Sequence, residues 1–346
     1  SRHPTMRVVR TLGGWPPPYG IILVLDRLSA LMVMLSATVG LFSLLYAIRG
    51  ADTAGRSFHA LLQFQLAGLN GAFLTGDLFN LFVFFEILLL GSYGLLLHGG
   101  SRVVCRGNTC HSLYGGPDRT RAALHYVILN LIGSSLFLVA VAVIYAAVGT
   151  LNMADLAERM ADAARVHPQL VHAGALLLLV VFGLKAALVP LYFWLPSAYS
   201  NASAPVAALF ALMTKVGVYA IIRVYTLVFG GTAGPLAGLA EPWLIPLGLL
   251  TFIVGTLGVV AARALRQLVA YLIVVSVGLL VSGIGLFSEQ GISGALYYLI
   301  HTTLVSAGLF LLVDLIATQR QSADDRIVPG PAVAQVLPLG ALFFAA

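Results

Sequence analysis

Apolar residues run along this chain in blocks of about twenty, divided by short breaks rich in polar residues, glycine and proline. The blocks fall near 22–48, 57–75, 78–97, 122–148, 170–189, 204–229, 243–261, 267–287 and 291–317, with a tenth beginning near 333. A helix rises about 1.5 Å per residue, so about 20 residues cross a hydrocarbon core about 30 Å thick. The pattern therefore predicts nine full membrane-spanning helices and part of a tenth. A secretory signal accounts for one such block and not for nine. The intervening stretches are 49–56, 98–121, an amphipathic 152–168, 230–242 and 319–331, none long enough for a soluble domain.

Composition agrees with that reading. Hydrophobic residues make up 60% of the chain and charged residues 9%, against about 25% charged in soluble domains. The fold class expected is an all-α polytopic membrane protein. The net charge of +6 would suggest nucleic acid in a soluble chain, but here the arginines crowd into the connections. Alternating sides at each span puts Arg49, Arg56, Arg102, Arg106, Arg119, Arg121, Arg263, Arg266, Arg320 and Arg326 on one face. Arg2, Arg7, Arg10, Arg159 and Arg165 fall on the other. The richer face is expected in the cytoplasm, and the N-terminal segment outside.

Cys105, Cys110 and His111 share one connection, at a spacing that matches no standard zinc pattern and no disulfide-rich scaffold. A plain loop is expected there. The chain begins with Ser1 and stops inside an apolar run, Val336 to Ala346, too short to span. The expectation is a chain incomplete at both ends.

The informative residues are the charges inside the blocks. The two lysines of the chain, Lys185 and Lys215, both lie within apolar blocks and neither in a loop. Glu86 is equally isolated among leucines and phenylalanines, and His301 sits in Leu-Tyr-Tyr-Leu-Ile-His-Thr-Thr-Leu. Glu86, Lys215 and His301 fall roughly 12–17 Å into their helices, and Lys185 somewhat past the middle of its own. A charge at that depth costs at least about 2.5–3.5 kcal/mol on insertion scales, so such residues face a polar interior and mark ion pathways. The competing structural account is a static pair between Glu86 and one lysine. Two lysines against one carboxylate exceed what such a pair needs.

Pro190 follows Lys185 by five residues and cannot donate to the carbonyl of Ala186, so the helix is expected to break just after the lysine. Broken helices at membrane depth line cavities and transporter ion sites. The residues can form a proton relay from Glu86 and Lys185 through Lys215 to His301, an imidazole with an ordinary pKa of about 6.5. His125, Asp77 and Arg223 are secondary candidates. Asp77 is placed to cap a helix, His125 to meet water, and Arg223 to snorkel to the outer face. Asp314 is expected at the interface. The sequence contains no phosphate-cradling glycine motif, quinone or haem signature, or nucleophile triad, so no cofactor or metal is expected.

Particular stretches resemble a known family. They are Leu-Thr-Gly-Asp-Leu-Phe-Asn-Leu-Phe-Val-Phe-Phe-Glu at 74–86, Lys185 to Pro196, Ala202 to Val218 and Tyr297 to Thr303. The chain is similar over most of its length to the antiporter-like family, which contains the large subunits of Mrp-type cation/proton antiporters and the proton-pumping membrane subunits of respiratory complex I. Gly14-Trp15-Pro16, the run 63–73, Gly149 to Leu156 and Val328 to Pro331 resemble the D-type large subunits of the Mrp antiporters.

The resemblance implies fourteen helices built around two inverted five-helix repeats, with the first span here equivalent to the third helix. By resemblance, Glu86 is the fifth-helix glutamate, Lys185 the lysine of the broken seventh helix, Lys215 the eighth-helix lysine and His301 an eleventh-helix relay histidine. Residues 1–56 would be an N-terminal segment with the first span, 57–229 the first repeat with the proton path, and 230–346 an incomplete second repeat. Three departures accompany the match: the absence of the first two helices and of the segment after 346, an apparent insertion at 101–114, and an almost wholly apolar Tyr271 to Gly278. The last feature favours the Mrp group over complex I.

The function implied is a secondary transporter subunit, not an enzyme, moving protons in exchange for sodium across a bacterial inner membrane. Its implied partners are other Mrp antiporter subunits, the lipid bilayer and the ions H+ and Na+, without nucleic acid. The alternatives are a proton-pumping membrane subunit of complex I or of a membrane-bound hydrogenase, and a non-functional fragment.

Overall fold

Several helices in this chain start at a side-chain cap or at a proline. The computed structural model describes residues 8–16, 19–99, 103–106, 109–112, 117–320, 325–329 and 336–345. Arg2, Arg7, Arg102 and Pro331 lie outside the described residues, as do the side chains of Cys105, Arg106, Cys110 and His111.

The first apolar block does not form one helix. Its leading residues make strand β2 (Ile22–Leu25), paired antiparallel with β1 (Val8–Thr11). Helix α1 (Arg27–Ala47) begins only after Asp26, whose carboxylate accepts from Ser29 N while Ser29 Oγ accepts from Asp26 N. This reciprocal cap satisfies two orphan amides and sets the boundary. A second hairpin, β3 (Val103–Arg106) with β4 (Thr109–Ser112), replaces the plain loop expected around Cys105 and Cys110. The helical bundle expected from the sequence is what the chain forms, and it carries two short hairpins in its connections.

The remaining helices are α2 (Phe58–Leu74), α3 (Leu78–Leu97), α4 (Pro117–Val148), α5 (Met153–Val166), α6 (Pro168–Ala186), α7 (Trp194–Asn201), α8 (Ala204–Phe210), α9 (Met213–Leu227), α10 (Glu241–Ala261), α11 (Leu265–Ile284), α12 (Glu289–Arg320) and α13 (Val336–Ala345). Among the described residues, eight helical stretches are long and apolar enough to cross a membrane. The 17-residue α2 sits at the short limit of spanning length, and α13, with 10 residues, falls below it.

The α8–α9 segment is buried without interruption from Ala204 to Ile222. It contacts α1, α2, α3, α6, α11 and α12 and so forms the centre post of the bundle. By contrast α10 packs mainly on α11 and exposes Leu249, Ile253, Leu257 and Val260. Close helix contact inside a bilayer relies on small residues, because lipid tails compete for apolar surfaces. Gly68 on α2 lies against the Leu88 backbone of α3, where an added Cβ would come within 2.5 Å of Leu88 N.

Candidate functional site

Lys185 is the next-to-last residue of α6, and its helix ends for a local reason. Ala187 adopts left-handed dihedrals (φ 64°, ψ 44°). Leu188 N then donates to Gly183 O at 2.8 Å and Ala187 N to Leu184 O at 3.1 Å, which closes a Schellman-type cap. The break therefore turns on Ala187, with Pro190 three residues beyond it. Trp194 Nε1 donates to Leu184 O at 3.1 Å, and Val189 N donates to Thr251 Oγ1 of α10 at 3.0 Å. The polar backbone freed by the break is thus partly bonded by neighbouring elements, as burial requires.

Lys185 is 8% exposed. Its ammonium donates to Asn130 Oδ1 at 3.3 Å and lies 5.8 Å from the centroid of the Phe85 ring. Asn130 belongs to α4 and donates through Nδ2 to Tyr126 O at 2.9 Å. One helical turn further along α4, Ser134 Oγ donates to Glu86 Oε1 of α3. Among the described residues Glu86 and Lys185 form no direct ion pair; each is bonded to α4 instead. Beside Lys185 is a cavity of about 10 Å³ lined mostly by apolar side chains, Phe85, Leu88, Leu89, Trp194, Met213 and Val216, with Asn130 and Lys185 as its polar members; its volume is at the lower limit for one water.

Lys215 is fully buried and donates to Ser276 Oγ of α11 at 2.9 Å. Ser276 Oγ in turn donates to Ile273 O at 2.8 Å. Two residues beyond Lys215, Gly217 brings α9 against the end of α6. A Cβ there would stand 2.4 Å from Ala186 N and 2.8 Å from Lys185 C. The helix that carries one lysine thus touches the backbone of the other.

His301 does not join this group. It is exposed on α12, stacked on Tyr298 at 6.4 Å, on the same face as the exposed Tyr297, Leu304 and Gly308. His125 is exposed on α4 and lines an open cleft of about 440 Å³ with Asp118, Arg121, Ser197 and Asn201. Asp77 caps α3 by accepting from Asn80 N at 2.9 Å, and burial pushes its carboxyl above the usual range.

Arg223 does not snorkel to water. It is turned into the protein against Asp26, with Nη2 donating to Oδ1 at 2.9 Å and Nη1 to Oδ2. Its Nε and Nη2 also donate to Tyr219 OH at 3.1 and 2.9 Å. A planar guanidinium that finds a carboxylate in fork geometry has more to gain there than in the headgroup layer. Asp314 accepts from Tyr46 OH at 2.8 Å and pairs with Arg266 at 3.5 Å.

Comparison with known proteins gives this arrangement a family. Residues 75–345 match the model of the NADH:quinone oxidoreductase/Mrp antiporter transmembrane family. The chain belongs to that family. It is 48% identical over 317 residues to the D subunit of a probable K(+)/H(+) antiporter of Rhizobium meliloti, covering 92% of this chain and 56% of the relative. It is 41% identical over 305 residues to the D subunit of the Na(+)/H(+) antiporter of Bacillus subtilis, covering 87% and 58%. In structure it is similar to a chain of the Mrp complex from Dietzia sp. DQ12-45-1b, with a TM-score of 0.84, 31% identity and coverage of 98% of this chain and 60% of that one. A chain of respiratory complex I from Thermus thermophilus matches with a TM-score of 0.74 and 28% identity, over 94% and 65%. The chain thus spans less than three-fifths of the length of these antiporter relatives.

Within this Mrp antiporter and NADH:quinone oxidoreductase family member, the residues that sequence reasoning missed are the neutral partners Asn130, Ser134 and Ser276. Their signal is present but weak. Asn130 and Ser134 are spaced four apart in a stretch of α4 whose other polar residue is Ser135, and Ser276 is the one hydroxyl in the run from Ile273 to Gly278. A serine or asparagine in a membrane helix commonly bonds its own backbone, so the spacing alone does not select them.

Proposed function

We propose that the chain is the proton-translocating part of the D subunit of a Mrp-type monovalent cation/proton antiporter, housed with other antiporter subunits in a bacterial inner membrane. One observation carries the reading: among the described residues Lys185 is buried beside a helix break and hydrogen-bonded to a neutral amide, with the Glu86 carboxylate acting on it through space and the helix of a second buried lysine packed against it. A lysine kept for structure would be neutralised by a carboxylate, because an uncompensated buried charge is costly. An ammonium hydrogen-bonded to an amide oxygen and not to the carboxylate itself can give up its proton without breaking a direct ion pair.

On this reading Glu86, Lys185 and Lys215 are the buried stations of the relay, in the repeat formed by residues 57–229. His301, the station in contact with the surroundings of the bundle, comes last. Water in the small cavity beside Lys185 would carry the proton towards Met213 and the Lys215 helix. The sodium assignment follows the Bacillus subtilis relative, whereas the Rhizobium meliloti relative is named for potassium. The test is cation-dependent proton flux from the reconstituted complex, measured with Na+ and with K+. Lys185→Ala is expected to bring flux to background while the subunits still co-purify. Undiminished flux from a normally assembled Lys185→Ala complex sinks the relay.

A further inference from the structure

Helix α4 places two polar side chains one turn apart on the same face, and each holds one member of the Glu86–Lys185 pair. Residues spaced by four stand above one another on a helix. Asn130 is 1% exposed, and its Nδ2 is committed to Tyr126 O at 2.9 Å, which turns Oδ1, an acceptor, towards the Lys185 ammonium. Ser134 could satisfy its hydroxyl on its own helix, as the adjacent Ser135 does by donating to Leu131 O at 3.0 Å. It donates to Glu86 Oε1 instead.

We propose that Asn130 and Ser134 are positioning residues that hold the Lys185 ammonium and the Glu86 carboxyl on separate rungs of α4 and so keep the two charges from closing into a direct ion pair. This rests on the relay reading of Glu86 and Lys185. Attraction between bare charges grows as the dielectric falls, and a closed pair in the bundle would fix the ammonium proton in place. With Asn130 as its acceptor, the ammonium keeps two further N–H donors, which is what transfer through the water-sized cavity requires. Ser134 also has a second acceptor within reach of its rotor, the i−4 carbonyl of its own helix. Its hydroxyl can therefore release Glu86 without being left unsatisfied, which makes it a two-position element.

The test uses the intact complex in everted vesicles, with subunit co-purification as the control for assembly. Ser134→Ala and Asn130→Leu are each expected to lower maximal cation-dependent proton flux about tenfold, in line with the loss of one hydrogen bond to a charged group. The half-saturating cation concentration stays unchanged. Ser134→Thr, which keeps the hydroxyl, stays within about twofold of wild type. The double variant is no slower than the slower single one, because both residues act through the same pair. The proposal is overturned if the single variants keep wild-type flux while Lys185→Ala abolishes it. It is equally overturned if Ser134→Thr is as impaired as Ser134→Ala, or if the losses in the double variant multiply. If Lys185→Ala itself leaves flux intact, the relay reading fails first and this inference falls with it. Should Asn130→Leu not assemble, the Ser134→Ala and Ser134→Thr comparison decides alone.

Discussion

Arg223 and Asp26 lie 197 residues apart in sequence and meet as a bidentate guanidinium–carboxylate pair, with side chains 13% and 20% exposed. The pair ties the start of α1 to α9, and Tyr219 extends it by donating to Phe73 O at the end of α2 at 2.6 Å. The centre post is thus joined to α1 and α2 at one end of the bundle. Removing one partner of a largely buried pair leaves the other charge uncompensated, at a cost of about 3 kcal/mol or more. Arg223→Ala in the intact complex is expected to lower the thermal unfolding midpoint in detergent by several degrees. Asp26→Asn should do the same to a smaller extent, since it keeps an acceptor. No shift in either variant would remove this pair from the stabilising contacts.

The same pair sets a pH window. Burial alone would raise the Asp26 carboxyl, but the Arg223 guanidinium and the donors of Ser29 outweigh it and hold it at about 2, below the ordinary 3.8. A carboxyl with a depressed folded-state pKa contributes stability above its unfolded-state pKa and loses that contribution as pH falls through the folded value. The stability gap between wild type and Asp26→Asn should therefore be flat from about pH 5 to 8 and shrink below about pH 4. A gap that changes between pH 6 and 8 would contradict this assignment.

At the α6–α9 crossing, the predicted effect is steric. A Cβ on Gly217 would stand 2.4 Å from Ala186 N, a backbone atom that cannot turn aside. Gly217→Val should force α9 off α6, cost about 1–3 kcal/mol as overpacking does, and separate the two lysine-bearing helices. Cation-dependent proton flux should fall even where the complex still assembles. Flux at the wild-type level in an assembled Gly217→Val complex would mean that this contact is not needed.

Lys215 depends on Ser276 for its hydrogen bond. Ser276→Ala leaves a buried ammonium short of an acceptor, at a cost of about 1–3 kcal/mol. Ser276→Thr keeps the hydroxyl and should preserve both stability and flux. Equal behaviour of the two variants in unfolding and flux measurements would show that the hydroxyl is dispensable.

The end of α6 carries a testable strain. An alanine in the left-handed region costs roughly 1–2 kcal/mol relative to the right-handed form, and glycine avoids that steric cost. Ala187→Gly should raise stability by about 0.5–1 kcal/mol after its larger unfolded-state entropy is allowed for. Ala187→Val, branched at Cβ, should lower stability. Denaturant midpoints of the two variants, expected to move in opposite directions, check the assignment.

The sequence by itself determined the membrane class and the long apolar helices, because both follow from local quantities, but not α7 or the division of the 204–229 block into α8 and α9. Runs of apolar residues must find lipid or a core, and Asp26, Asp77, Asn152 and Pro168 mark helix starts through short-range bonding or fixed dihedrals. It also singled out Glu86, Lys185 and Lys215, since the cost of a charge at membrane depth does not depend on which neighbour offsets it. Those neighbours were decided only by the tertiary structure. Asn130, Ser134 and Ser276 are partners because α4 and α11 pack where they do, and Arg223 turns inward because chain folding delivers Asp26 to it. His301 looks equivalent to the lysines in one dimension, yet lies on the exposed face of its helix, which depends on what packs against α12. The start of the first apolar block folds as a strand because β1 supplies its hydrogen-bond partner from outside that block. Depth along a helix can be counted from sequence, but azimuth and partner are fixed only when the helices pack.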